Sequence, residues 1–296
     1  MALPDSGLIV PPMTPFEADG TVDETAYESQ IEYVVESGSA SSVALMAVEA
    51  QEYRCLSVEE RRRAIERGAA AVDGRLPLVV GVSAPSYRRS IELASVAESV
   101  GADAIQALVP ARPQGGTTHV EELVAYYEEL GAAVDLPIVA YHNPGPGAAL
   151  DPEGLRAIAA VDAVAGFKES SRNLRHVLRL VETVDRAGLA NYYTTMEMTL
   201  ITALLGGSGA TMPAPASIVG QGILDAVEDG DIERATALQR QFAAFPGPFL
   251  EHGFPVVMKA ALEHVGVDAG RPCPPAEPLP DPVRADLARA LDAMDL

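Results

Sequence analysis

Lysine is nearly missing from this chain. Of its 21 basic residues, 19 are arginine, and only Lys168 and Lys259 are lysine. Cysteine is equally scarce: Cys55 and Cys273 are too few for a disulfide framework or a cysteine metal cluster. No apolar run approaches the ~18 residues that a bilayer-spanning helix needs. The opening MALPDSGLIVPP lacks the basic-then-apolar order of a signal peptide. Basic charge is in deficit. Acidic residues number 42 against 21 basic, a formal net charge of −21, which argues against nucleic acid or an anionic membrane as partner. A cytoplasmic protein is the default expectation.

What is present is a 296-residue chain, 48% hydrophobic and 21% charged, long enough for a sizeable buried core. Strand and helix signals alternate along it. Apolar runs at 7–13, 42–48, 76–82, 102–110, 136–144, 163–170, 189–195 and 209–215 read as buried strands. Between them lie helical patterns: 22–36, 57–72 opened by a Ser57/Glu60 capping box, 85–101, one from Thr118, one capped by Asp151 with Pro152 next, 172–186, 196–205 and 217–228. Eight such units predict an α/β fold, a (β/α)₈ TIM barrel over 1–228, with a doubly wound open sheet as the runner-up. Residues 229–296 hold further helical patterns (231–245, 255–265, 281–294) and predict a C-terminal helical extension packed on the barrel.

Barrel enzymes place their chemistry at the C-terminal ends of the strands. There this sequence puts Glu49 and Glu52, then Tyr141, His142 and Asn143, then Lys168 and Glu169, then Thr194 and Thr195. Side chains alternate along a strand, so Tyr141 and Asn143 share a face while His142 points the other way. An amine can lose its proton and attack a carbonyl, whereas a guanidinium cannot. A buried Lys168 beside Tyr141 therefore reads as a Schiff-base nucleophile with its proton shuttle. The competing reading pairs Lys168 with Glu169 or Glu52 in a structural ion pair. Lys259, in VVMKAALEHVG, reads as structural. The histidines (His119, His142, His176, His252, His264) show no HExxH-type spacing, so no metal site is expected. GGSG at 206–209 reads as a tight turn in preference to a phosphate cradle. Tyr126 and Tyr127 read as core or subunit contact.

Met13-Thr14-Pro15-Phe16 with Asp19-Gly20, Leu56-Ser57 with Glu59-Glu60-Arg61, Gly101-Ala102-Asp103-Ala104, Tyr141-His142-Asn143-Pro144, Gly166-Phe167-Lys168-Glu169-Ser170 and Arg271-Pro272 occur in an order spanning nearly the whole chain. In that order they resemble the N-acetylneuraminate lyase and dihydrodipicolinate synthase superfamily of Schiff-base lyases. The resemblance implies a (β/α)₈ barrel with C-terminal helices, often a homotetramer, that needs no cofactor. It implies Lys168 as the imine-forming lysine and Tyr141 as the catalytic tyrosine.

Departures from that pattern are informative. The family's GTTGE, which holds the carboxylate of a 2-oxo acid, falls on Val48-Glu49-Ala50-Gln51-Glu52, where only Glu52 fits. Pro146 or a neighbour replaces the arginine that follows the catalytic tyrosine in the synthases. Ala111-Arg112-Pro113 stands where a tyrosine crosses the dimer interface. The expected function is a Schiff-base lyase of aldolase, dehydratase or hydratase-aldolase type, acting on a small oxo-acid or related carbonyl compound. The alternatives are 4-hydroxy-tetrahydrodipicolinate synthase proper, and a degenerate barrel that binds without turnover. Glu49, Ala50, Asn143, Thr194, Thr195 and Thr211 form the expected substrate-binding set. Glu49 would bind a cationic or hydroxylated group or act as a base, and Arg112 is a candidate for an anionic group.

Overall fold

A computed structural model describes residues 3–112 and 115–294. Met1 and Ala2 of the opening segment, and Pro113, lie outside the described residues. Eight parallel strands close into a barrel: β1 (Gly7–Val10), β2 (Ser42–Leu45), β3 (Leu78–Gly81), β4 (Ala104–Leu108), β5 (Ile138–His142), β6 (Val164–Glu169), β7 (Asn191–Thr195) and β8 (Gly209–Thr211). Each strand pairs with the next, and β8 returns to β1. The helices between and after them are α1 (Glu24–Glu36), α2 (Val58–Val72), α3 (Tyr87–Ser99), α4 (Val120–Ala133), α5 (Pro152–Ala159), α6 (Leu174–Leu180), α7 (Thr199–Leu204) and α8 (Ser217–Glu228). Three more follow: α9 (Ile232–Gln241), α10 (Phe254–His264) and α11 (Asp281–Asp292). This is a (β/α)₈ TIM barrel with C-terminal helices. No helix among the described residues is long and apolar enough to cross a membrane.

Local chemistry sets the element ends. Asp23 caps α1 by accepting from the amides of Thr25 and Ala26, both at 3.0 Å. Ser57 and Glu60 form the reciprocal box that opens α2. Asp151 accepts from the Gly154 amide at 2.9 Å, with Pro152 at the first helical position of α5. Several expected elements end sooner. The 42–48 run stops at Leu45, because Met46 turns to φ 54°. The 209–215 run stops at Thr211, and a short turn, Ala214–Ala216, follows Pro213. Helical pattern 172–186 begins only at Leu174, because Arg172 sits at φ 53°. The helix expected from Thr118 starts two residues on, at Val120.

Inside the barrel, Ile9, Ala44, Val79, Ala104, Val139 and Tyr193 form a closed floor, with Leu3 packed beneath. The Tyr193 hydroxyl donates to the Pro4 carbonyl at 2.7 Å, which plugs the N-terminal end. Gly81 lets the end of β2 approach: a Cβ there would lie 1.9 Å from the Met46 carbonyl oxygen. Above the floor, at the C-terminal strand ends, an open cavity is bordered by polar side chains.

Candidate active site

Tyr141 and Lys168 are register partners on the adjacent strands β5 and β6, both facing inward above the floor. Lys168 Nζ lies 3.8 Å from the centroid of the Tyr141 ring. Lys168 is 4% exposed, and among the described residues its amine has no hydrogen bond or ion pair. The two acids that the ion-pair reading assigned to it, Glu169 and Glu52, are engaged elsewhere. Glu169 points to the opposite face, where it accepts from His142 and from the Ser171 amide at 2.8 Å. Glu52 pairs with Lys259, whose amine also donates to the Arg271 carbonyl at 2.8 Å. Lys259 is thus a structural staple between the β2 loop and the C-terminal segment.

Burial drives the Lys168 amine down to about 7; Glu49 pulls it upward and Arg172 pushes it further down. A charged ammonium over the ring face would gain a cation–π attraction of only about 1–2 kcal/mol. Desolvation outweighs it, so near neutrality a large fraction of the amine is uncharged. Burial also raises the Tyr141 phenol well above the usual range, and the neighbouring Glu49 carboxylate adds to this.

Glu49 is the centre of a small network. Its Oε2 accepts from the Tyr141 hydroxyl at 2.6 Å and lies 3.4 Å from Asn143 Nδ2. Its Oε1 accepts from the Tyr53 hydroxyl at 2.9 Å, with Arg54 at 3.8 Å. Asn143 Nδ2 also donates to the Tyr141 oxygen at 2.9 Å. Gln51 fixes the turn that carries Glu49. Its Oε1 accepts from the Ala47 amide at 2.7 Å, and its Nε2 donates to the carbonyls of Ala44 and Pro12. The glutamine thereby ties the end of β2 to the end of β1.

These groups border an open cavity of about 330 Å³, lined by Lys168, Tyr141, Glu49, Ala50, Asn143, Thr195 and Thr211. The Thr211 hydroxyl is buried without a protein partner. Thr194 is the exception in the expected set. It does not line this cavity. Alternation on β7 puts Thr194 with Tyr192 toward the helices, and Thr195 with Tyr193 toward the interior.

Arg112 is also placed elsewhere, in an exposed pair with Glu122. GGSG at 206–209 forms a turn, with Ser208 bonded through its amide and hydroxyl to Asp185 at 2.7 Å. Sequence reasoning did not select Arg172, Met13, Leu250 or Phe254, yet all four line the cavity. Arg172 lies four residues beyond Lys168 and pairs with Glu197 at 2.9 Å. Its position follows from the left-handed backbone at that residue. Leu250 and Phe254 come from the extension, which roofs the cavity.

Outside the barrel wall, His142, Glu169 and His176 bring three donors of metal-ligating type within 4.8 Å of one another. His spacing in the sequence did not reveal this group, because strand and helix packing assemble it. His142 Nε2 accepts from the Leu150 amide at 3.4 Å, which puts the imidazole proton on Nδ1, facing Glu169. His142 and Glu169 therefore form a hydrogen-bonded brace behind the two site strands, while His176 Nδ1 lies 4.0 Å from Glu169 without a hydrogen-bond partner among the described residues.

A second cavity, about 360 Å³, lies beyond Tyr53 and is lined by Arg54, Arg61 and Arg89. Arg61 is buried, donates to the carbonyls of Ser83 and Gly81, and stacks over the Tyr53 ring at 4.6 Å. It holds Tyr53 in place against Glu49.

Comparison with known proteins agrees with this architecture. Residues 4–294 match the model of the dihydrodipicolinate synthetase family. An uncharacterized DapA-like lyase of Halobacterium salinarum is 32% identical over 295 residues, covering 98% of this chain and 94% of that one. A probable 2-dehydro-3-deoxy-D-pentonate aldolase, YjhH of Escherichia coli, is 27% identical over 277 residues, covering 91% and 90%. Among solved structures, YagE of E. coli in complex with pyruvate superposes with a TM-score of 0.90 at 26% identity, covering 98% and 99%. The chain belongs to the dihydrodipicolinate synthetase family, a family of lyases.

Proposed function

We propose that this protein is a class I lyase that forms an imine between Lys168 and the carbonyl of a small 2-oxo acid or related oxo compound. One observation carries the reading: a buried, unpaired amine, which burial brings down to about 7, stands over the ring of Tyr141 in an open cavity. The neutral amine adds to the carbonyl carbon, and Tyr141 relays a proton from solvent in the open cavity to the carbinolamine oxygen, which leaves as water, so that Tyr141 ends protonated. The iminium then draws the electron pair of a breaking C–C bond, or of the C–H bond whose loss expels a β-leaving group. Hydrolysis returns Lys168.

The altered carboxylate pocket is compatible with an oxo acid. The turn Glu49–Gln51 starts at the cavity, and the first amides of such a turn have no acceptor within it. Thr211 brings an unpartnered hydroxyl. Both Glu49 oxygens already accept from phenols, which lessens repulsion of a second carboxylate. Arg172 stands at the cavity wall as a counter-charge for an anionic far end. No metal or organic cofactor has a role in this scheme. A homo-oligomer is part of the proposal: Leu174, Leu178, Leu204 and Ile218 on α6, α7 and α8 are about half exposed, and light scattering tests it.

The direct test is borohydride trapping with pyruvate, 2-oxobutyrate and neutral hydroxyketones, followed by peptide mapping. The expected result is one adduct, on Lys168, absent from Lys168→Ala. A stable complex with no adduct from any of these compounds would favour a barrel that binds without turnover.

A further inference from the structure

Tyr141 has two demands on one proton. It must protonate a leaving oxygen, and the carbon beside the imine must also lose a proton if an enamine is to form. A buried phenol cannot carry the resulting negative charge alone, because burial disfavours phenolate. Its hydroxyl is already directed at a carboxylate, at 2.6 Å. That carboxylate stands at the cavity wall with its side chain 23% exposed, so it can exchange protons with water in the cavity. Its other oxygen is held by Tyr53, which Arg61 stacks against. The group is therefore oriented on one side and reactive on the other.

We propose that Glu49 is the proton acceptor for enamine formation, acting through Tyr141, with Tyr53 and Asn143 fixing its orientation. The inference rests on the imine reading above. In the step, the C–H bond beside the iminium breaks and its electron pair forms the C=C bond, while the C=N π pair moves to nitrogen. The proton goes to the Tyr141 oxygen as the Tyr141 proton passes to Glu49 Oε2. Charge is conserved: iminium and carboxylate become neutral enamine and neutral carboxylic acid. The reverse path protonates the enamine after bond cleavage. Glu49 is a positioning and relay residue here, one link removed from the reacting carbon.

The experiment separates imine formation from proton transfer. Pyruvate and 2-oxobutyrate are incubated with the protein in D₂O. Exchange of the hydrogens beside the carbonyl is followed by NMR, and borohydride trapping is measured in parallel. Glu49→Gln should trap within about twofold of the parent yet exchange about a hundredfold more slowly, the usual size of a lost general base. Glu49→Ala should be partly rescued by added formate, and its exchange should then rise with the formate anion concentration. Exchange by Glu49→Gln at the parent rate would overturn the proposal, as would equal losses of trapping and exchange. If the parent traps neither probe, the imine reading itself fails and takes the relay with it.

Discussion

The amine of Lys168 lies over the face of the Tyr141 ring, 3.8 Å from its centroid, while the hydroxyl of that ring donates to Glu49 at 2.6 Å. The proposed nucleophile and the proposed acid are thus neighbours that do not consume one another. A direct amine–hydroxyl bond would have to break before substrate entered; here the amine is unpaired, and the phenol's partner is a third group.

Holding this amine dry has a cost in stability. Lys168 titrates near 7 in the folded protein and in the ordinary lysine range near 10.5 when unfolded. Between those values the unfolded chain binds a proton that the native state does not, so native stability falls as pH drops from about 10.5 toward 7. Below 7 the full penalty is present. Lys168→Met removes the charge and keeps the volume. Urea unfolding should find this variant more stable than the parent by about 1–4 kcal/mol at pH 6.5, with the gap closing toward pH 10. A gap that does not change with pH would contradict the assignment.

Tyr141→Phe keeps the ring against Lys168 and removes the proton. Turnover should fall by about 10²–10⁴. The adduct on Lys168 should still be trapped, only more slowly. Loss of trapping together with loss of the folded state would mean that the hydroxyl is chiefly structural.

Lys259 serves as the control lysine. Its amine joins Glu52, the Arg271 carbonyl and the Phe16 ring face at 4.9 Å, with the whole side chain buried. Lys259→Met leaves Glu52 buried without its cation. Removing one member of such a pair destabilises by about 3–5 kcal/mol. Denaturant titration should show that loss, while any protein that remains folded still forms the adduct on Lys168.

The barrel was legible because its rhythm is local. Apolar runs and caps such as Asp23, Ser57/Glu60 and Asp151 mark element ends without tertiary information. That Lys168 and Tyr141 meet was legible from their places: a rare amine on an apolar strand, with a phenol one strand away. Thr194 was misplaced because the last two residues of β7 are both threonines, and only the register decides which one enters the barrel. Arg172 was invisible because a single left-handed residue, not a pattern, delivers it to the cavity. Leu250 and Phe254 were missed because they come from the extension, some 80 residues beyond the lysine strand. The His142–Glu169–His176 group brings together residues of β5, β6 and α6, and no spacing along the chain encodes that meeting.

Two lysines make the central claim open to direct observation. Lysine labelled with ¹³C at the ε carbon gives one NMR signal for Lys168 and one for Lys259, assigned with Lys168→Met. The Lys168 signal should titrate with a midpoint near pH 7, as burial of an unpaired amine requires. If it remains at the ammonium position up to pH 9, the amine is charged at neutrality and the proposed chemistry is contradicted.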